Sequence, residues 1–153
     1  MTRPIPEGLH SVTPHISVDG AAEAIAFYTK AFGAVEKQRA PDPTGKKIWH
    51  AEISIGDSAI FVNDVFPEMG MGDPSRASLW IYTDGVDAAW KRAVDAGATV
   101  TMPLADQFWG DRTGSLKDKW GIQWTLGQRI RDQTREETDK RAQEFIAQMK
   151  QGK

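Results

Sequence analysis

The chain says nearly the same thing twice, about 65 residues apart. DGAAEAIAFYTKAFGAV starts at Asp19, and DGVDAAWKRAVDAGATV starts at Asp84. An alternating run precedes each copy, Val12 to Val18 and Ala77 to Thr83. Each is later closed by a glycine turn and a last apolar run, Gly56 before Ala59 to Asp64 and Gly121 before Ile122 to Leu126. A repeat of this length is one supersecondary unit that cannot bury its apolar face alone. Two copies must pack together, so function turns on what lies in the seam between them.

The periodicities give each copy the order strand, helix, three strands. Val12 to Val18 alternates apolar and polar residues, as a half-buried strand does. Ala22, Ile25, Ala26, Tyr28 and Phe32 recur at helical spacing, and Gly33 stands where a glycine ends a helix. Val35 to Ala40 is a short strand. Ile48 to Ile55 alternates with Trp49, Ala51, Ile53 and Ile55 on one side and Ile48, His50, Glu52 and Ser54 on the other. The second copy reads strand 77–83, helix 86–96, strand 99–103, loop 104–111, strand 112–117 and strand 122–126. The expected class is α+β, a single domain over 1–153, with βαβββ modules at 10–65 and 76–127 forming a curved mixed sheet around a central cleft. A C-terminal helix over 133–150 follows. Thr134-Arg135-Glu136-Glu137 fits a capping box at its start. Its stripe of Ala142, Phe145, Ile146 and Met149 must cover something, either this chain's own sheet or a partner subunit.

Composition narrows the function classes. The chain has 153 residues, 40% of them hydrophobic, which suffices for one core. A net charge of −2 and no basic cluster give no attraction to nucleic acid. The absence of cysteine excludes disulfides and thiolate chemistry. No apolar run approaches a membrane span or a signal-peptide core, so no membrane partner is expected and a cytoplasmic location is the default. Six tryptophans are many for this length.

The helix AIAFYTKAFGA, the hairpin HAEISIGDSAIFVND and the segment FWGDRTGSLKDKWGIQW, in that order and spacing, resemble the vicinal oxygen chelate superfamily. That family includes glyoxalase I, extradiol dioxygenases and bleomycin-resistance proteins. The resemblance covers roughly residues 10 to 127. It implies paired modules whose sheets form a cleft for a small ligand or a metal. In metal-using members, each first strand and each last strand supplies a ligand, usually His or Glu. Here those positions fall at Thr13 and Ser78, and at Ile60 and Thr125 to within one residue. These side chains are poor ligands for a divalent transition metal. No metal or other cofactor is therefore expected.

Alternation places His15 on the cleft side with His50 and Glu52, and Trp80 and Tyr82 on the matching face of the second module. Phe108, Trp109 and Trp120 complete the candidate aromatic walls. Trp49, Trp90 and Trp124 read as core, Asp64 as a turn residue, and Asp111 with Arg112 as a local ion pair. The expectation is a homodimeric, metal-independent protein that binds an aromatic or amphipathic small molecule. The alternative is a glyoxalase-like lyase or isomerase that uses a relocated metal at His15, His50 and Glu52, or those groups as acid and base. Two strand spacings of roughly 4.8 Å each separate the two histidines and oppose the relocated metal.

Overall fold

A computed structural model describes residues 2–152. The order is β1 (His15–Val18), α1 (Ala21–Phe32), β2 (Val35–Pro41), β3 (Ile48–Ile55) and β4 (Ser58–Asp64), then β5 (Ser78–Tyr82), α2 (Val86–Asp95), β6 (Thr99–Asp106), β7 (Asp111–Lys117), β8 (Gln123–Arg129) and α3 (Arg135–Gln151). The strands make two four-stranded mixed sheets of one topology, β1-β4-β3-β2 and β5-β8-β7-β6. Each first strand runs parallel to its module's last strand, with Ile16 beside Val62 and Ile81 beside Leu126. The repeat therefore extends to the strand ladder, and the last strands are offset by one residue less than the first strands.

Each last strand also caps its own module's helix. Neither helix has an N-cap side chain, because Gly20 and Gly85 hold those positions. The Asp64 carboxylate instead accepts from the backbone N–H groups of Gly20 and Ala21 at 2.9 Å each, and from Ile48 at 2.7 Å. In the second module the Gln128 side-chain oxygen accepts from Val86 N–H at 3.1 Å. Asp64 is thus a buried helix cap rather than a plain turn residue. It satisfies donors that a helix start leaves unpaired.

The two modules share a core built from their helices and β8. Trp124 is buried against Tyr28 and Phe32, with ring centroids 5.1 and 4.6 Å apart. The turn after β7 tightens this seam. Buried Asp118 accepts from the backbone of Trp120 and Ile122 on one oxygen, and from Tyr28 Oη–H and Trp124 Nε1–H on the other. From α2, Arg92 donates to the carbonyls of Lys30 and Thr29 at the C-terminal end of α1. A cation there offsets the partial negative charge of the helix end.

Burial, with the nearby Asp118 charge and hydrogen bond adding to it, raises the Tyr28 hydroxyl far above the ordinary tyrosine value. A group raised on folding contributes stability that is fully present below its unfolded pKa, about 10 for tyrosine, and lost as pH rises past it. We therefore expect urea-measured stability to fall above about pH 10, by up to about 1.4 kcal/mol per pH unit for each such group. Tyr28→Phe should flatten that decline at a cost of about 1 kcal/mol near neutrality. An unchanged alkaline slope in Tyr28→Phe would contradict the assignment.

Two sequence expectations about the strands need correction. Trp49 is not core: it is 48% exposed. Between Ala40 opposite His50 and Pro41 opposite Ile48, β3 carries one extra residue. This bulge turns Ile48 inward and Trp49 out. The first strand begins only at His15, because Pro14 has no N–H to donate, although its carbonyl still accepts from Phe61. The apolar stripe of α3 is not covered by the chain's own sheet, since Phe145, Ile146 and Met149 remain exposed. Phe145 packs on Phe108 of the β6–β7 loop, with ring centroids 5.4 Å apart. The capping box at Thr134 is present as expected. No helix among the described residues is long and apolar enough to cross a membrane.

Candidate functional site

On the first module the sheet face opposite α1 carries a row across the strands. His15 lies beside Phe61, Phe61 beside Glu52, and Glu52 beside Gln38. His15 Nε2 is 2.5 Å from Asn63 Oδ1, which also accepts from Ser17 Oγ–H at 2.9 Å. The His50 ring packs edge-on to Phe61, with centroids 4.7 Å apart. Glu52 accepts from Gln38 at 3.3 Å. His15 and His50 therefore lie on opposite sides of β4 with Phe61 between them, and each already has a neighbour in the sheet.

The corresponding row of the second module reads Trp80, Thr125, Ser115, Met102. Aligning the two rows puts Phe61 opposite Thr125, one residue from the expected Ile60. If the superfamily resemblance holds residue by residue, its metal-ligand positions would fall at Thr13, Ser78, Phe61 and Thr125. None offers an imidazole or carboxylate. Among the described residues no three His, Asp or Glu side chains gather in ligating distance. The donor set does not fit a divalent metal.

What this face does carry is a flat aromatic platform. Gly127 lies opposite Tyr82 on β8. A Cβ at Gly127 would fall 2.8 Å from Trp80 Nε1 and 3.4 Å from Tyr82 Cε1. Without one, both rings lie down across the strand. Tyr82 reaches over β8 and donates its hydroxyl to Asp111 Oδ2 on β7 at 2.7 Å. The two rings are 5.9 Å apart and inclined by 31°. Their upper faces stay open, with Trp80 49% and Tyr82 58% exposed. The same two residues line a cleft of about 830 Å³ along the outer edge of β5. Gly56, Asp57 and Ser58 of the first module's hairpin and Ala88 and Arg92 of α2 also line it.

Asp111 anchors the platform. It is fully buried and holds Arg129 Nε at 2.6 Å, with Trp109 Nε1 at 3.1 Å and the Tyr82 hydroxyl completing its contacts. Burial pushes its carboxyl up, but the hydrogen bonds from Tyr82, Arg129 and Trp109 outweigh this and hold it below the ordinary carboxylate value. The expected Asp111–Arg112 pair does not form. Arg112 instead bridges Asp87 and Asp106.

Of the candidate residues, then, Trp80 and Tyr82 come together at the cleft. Trp109 supports them through Asp111. Phe108 packs on Trp109 and Phe145. Trp120 lies elsewhere, against Phe27 and Tyr28 of α1 with its indole donating to the Asp19 carbonyl. His15, His50 and Glu52 form a separate face. Gly127 and Arg129 lie beyond the apolar run that ends at Leu126, so periodicity does not reach them. A glycine inside a strand, which often marks a close approach, was the available signal.

The family model for the glyoxalase/bleomycin resistance protein/dioxygenase superfamily matches residues 8–126. The chain belongs to this superfamily. It is 42% identical over 130 residues to protein Rv0887c of Mycobacterium tuberculosis, covering 80% of this chain and 76% of that protein. The crystal structure of TioX from Micromonospora sp. ML1 matches with a TM-score of 0.63 at 22% identity, over 78% of this chain and all (100%) of TioX. The X-ray structure of the At5g48480 product of Arabidopsis thaliana matches with a TM-score of 0.61 at 24% identity, over 77% and 98%. At these identities the two structures support the superfamily fold and no particular ligand.

Proposed function

We propose that this superfamily member binds a small, planar aromatic molecule on the Trp80–Tyr82 platform, without a metal. The observation that carries the reading is the pair of rings laid flat over Gly127 with their upper faces open beside a cleft. Such a surface costs apolar exposure in the free protein, and stacking a ligand on it recovers that loss. Stacking contacts of this kind contribute about 1–3 kcal/mol each, by analogy with bases on aromatic side chains. The first-module face offers no comparable platform, because its histidines are already occupied within the sheet.

A homodimer belongs to the same reading. The open stripe of α3 and the open platform both present apolar surface, and a second copy of the chain is one way to cover part of it.

A thermal-shift screen over planar aromatic compounds tests the proposal, since a ligand that binds only the folded state raises the melting temperature. Compounds that stabilise the wild type should lose that effect with Trp80→Ala. Gly127→Ala should do the same, because its Cβ lifts the indole while leaving the backbone free to keep its conformation. Stabilisation that survives both substitutions would move the binding site off the platform.

A further inference from the structure

Arg129 is the guanidinium beside the platform that the fold leaves half used. Arg112 spends its nitrogens on Asp87 and Asp106, and Arg92 donates to two carbonyls of α1. Arg129 instead donates through Nε to Asp111 Oδ1 and lies within hydrogen-bonding reach of the Tyr82 hydroxyl, and among the described residues Asp111 is its one carboxylate partner. Its side chain is 56% exposed. It lies two residues beyond Gly127 on β8, and so on the same sheet face as the two rings. Asp84 lines the same shallow hollow as Arg129 and Tyr82 but makes no hydrogen bond to the guanidinium. A guanidinium fixed through Nε to a buried carboxylate is held in one orientation, with its outer two nitrogens set side by side. That end matches the two oxygens of a carboxylate.

We propose that the second-module face takes a planar aromatic carboxylate, its ring on Trp80 and Tyr82 and its carboxylate on Nη1 and Nη2 of Arg129. This rests on the platform reading above and adds the charge and chemical class of the ligand. Asp111 is then a positioning residue: it fixes Arg129, Tyr82 and Trp109 together and touches no ligand.

Calorimetric titration of the full chain with 2-naphthoate and with its neutral analogue 2-naphthamide tests the charge separately from the ring. Wild type should bind the naphthoate about tenfold or more tightly than the amide, the difference expected for a hydrogen bond between charged groups. In Arg129→Gln the naphthoate affinity should fall to that of the amide. Arg129→Lys keeps a donor for Asp111 but lacks the fork, so it should keep only part of the preference, and it carries the test if Arg129→Gln does not fold. Added salt should weaken the naphthoate alone. Equal binding of both compounds by the wild type, or a full preference retained in either variant, overturns the carboxylate assignment and leaves the platform standing. Binding of neither compound overturns both.

Discussion

Asp118→Ala is expected to cost about 4 kcal/mol or more of folding stability, read as the shift in a urea unfolding curve. The carboxylate accepts four hydrogen bonds in a buried turn, two from the backbone and two from the side chains of Tyr28 and Trp124. Removing it strands those donors, and each buried unpaired group costs about 1–3 kcal/mol. The loss is not local, because Tyr28 belongs to the first module and Asp118 to the second. Asp118→Asn keeps one acceptor oxygen and should fall between wild type and alanine. A change below about 1 kcal/mol in Asp118→Ala, the range of a surface substitution, would show that the turn is not the latch between the modules.

Trp124→Ala should be comparably damaging, about 3–5 kcal/mol, because it empties a large buried site. The indole is 1% exposed and wedged between Tyr28 and Phe32. The contrast with the other tryptophans makes the prediction sharp. Trp49→Ala should be nearly neutral, since that side chain faces solvent. Trp109→Ala should cost about 1 kcal/mol, the value of one hydrogen bond to Asp111. Melting temperatures of the three variants, measured side by side, check the order. Trp49→Ala more destabilising than Trp124→Ala would invert the assignment of faces.

Much of the fold could be read from the sequence because its signals are local and occur twice. The helix of each copy, the strand alternation and the capping box at Thr134 each depend on residues within a few positions of one another. What stayed hidden depends on pairing across strands. The bulge at Trp49 leaves the alternation of Trp49, Ala51, Ile53 and Ile55 intact on paper, because Ile48 and Trp49 are both apolar and only the register against Pro41 tells them apart. The apolar stripe of α3 announces that it needs a cover but not where that cover comes from. Alternation puts Tyr82 on the open face, yet its hydroxyl meets Asp111 only because β8 lies between them and offers a glycine at that spot. The partner of Asp111 likewise depends on sheet register, which sets it beside Arg129 rather than its chain neighbour Arg112.

The most direct test of ligand binding on the platform follows the six indole N–H signals in a 15N-labelled sample as 2-naphthamide is added. The indoles of Trp109, Trp120 and Trp124 are bonded to Asp111, the Asp19 carbonyl and Asp118, whereas that of Trp80 has no partner among the described residues. Ligand stacked on the platform should move the Trp80 signal most, shift Trp109 slightly through Asp111, and leave Trp124 in place. If Trp80 stays still while Trp120 or Trp124 moves, or if no indole responds, the Trp80–Tyr82 surface is not the binding site.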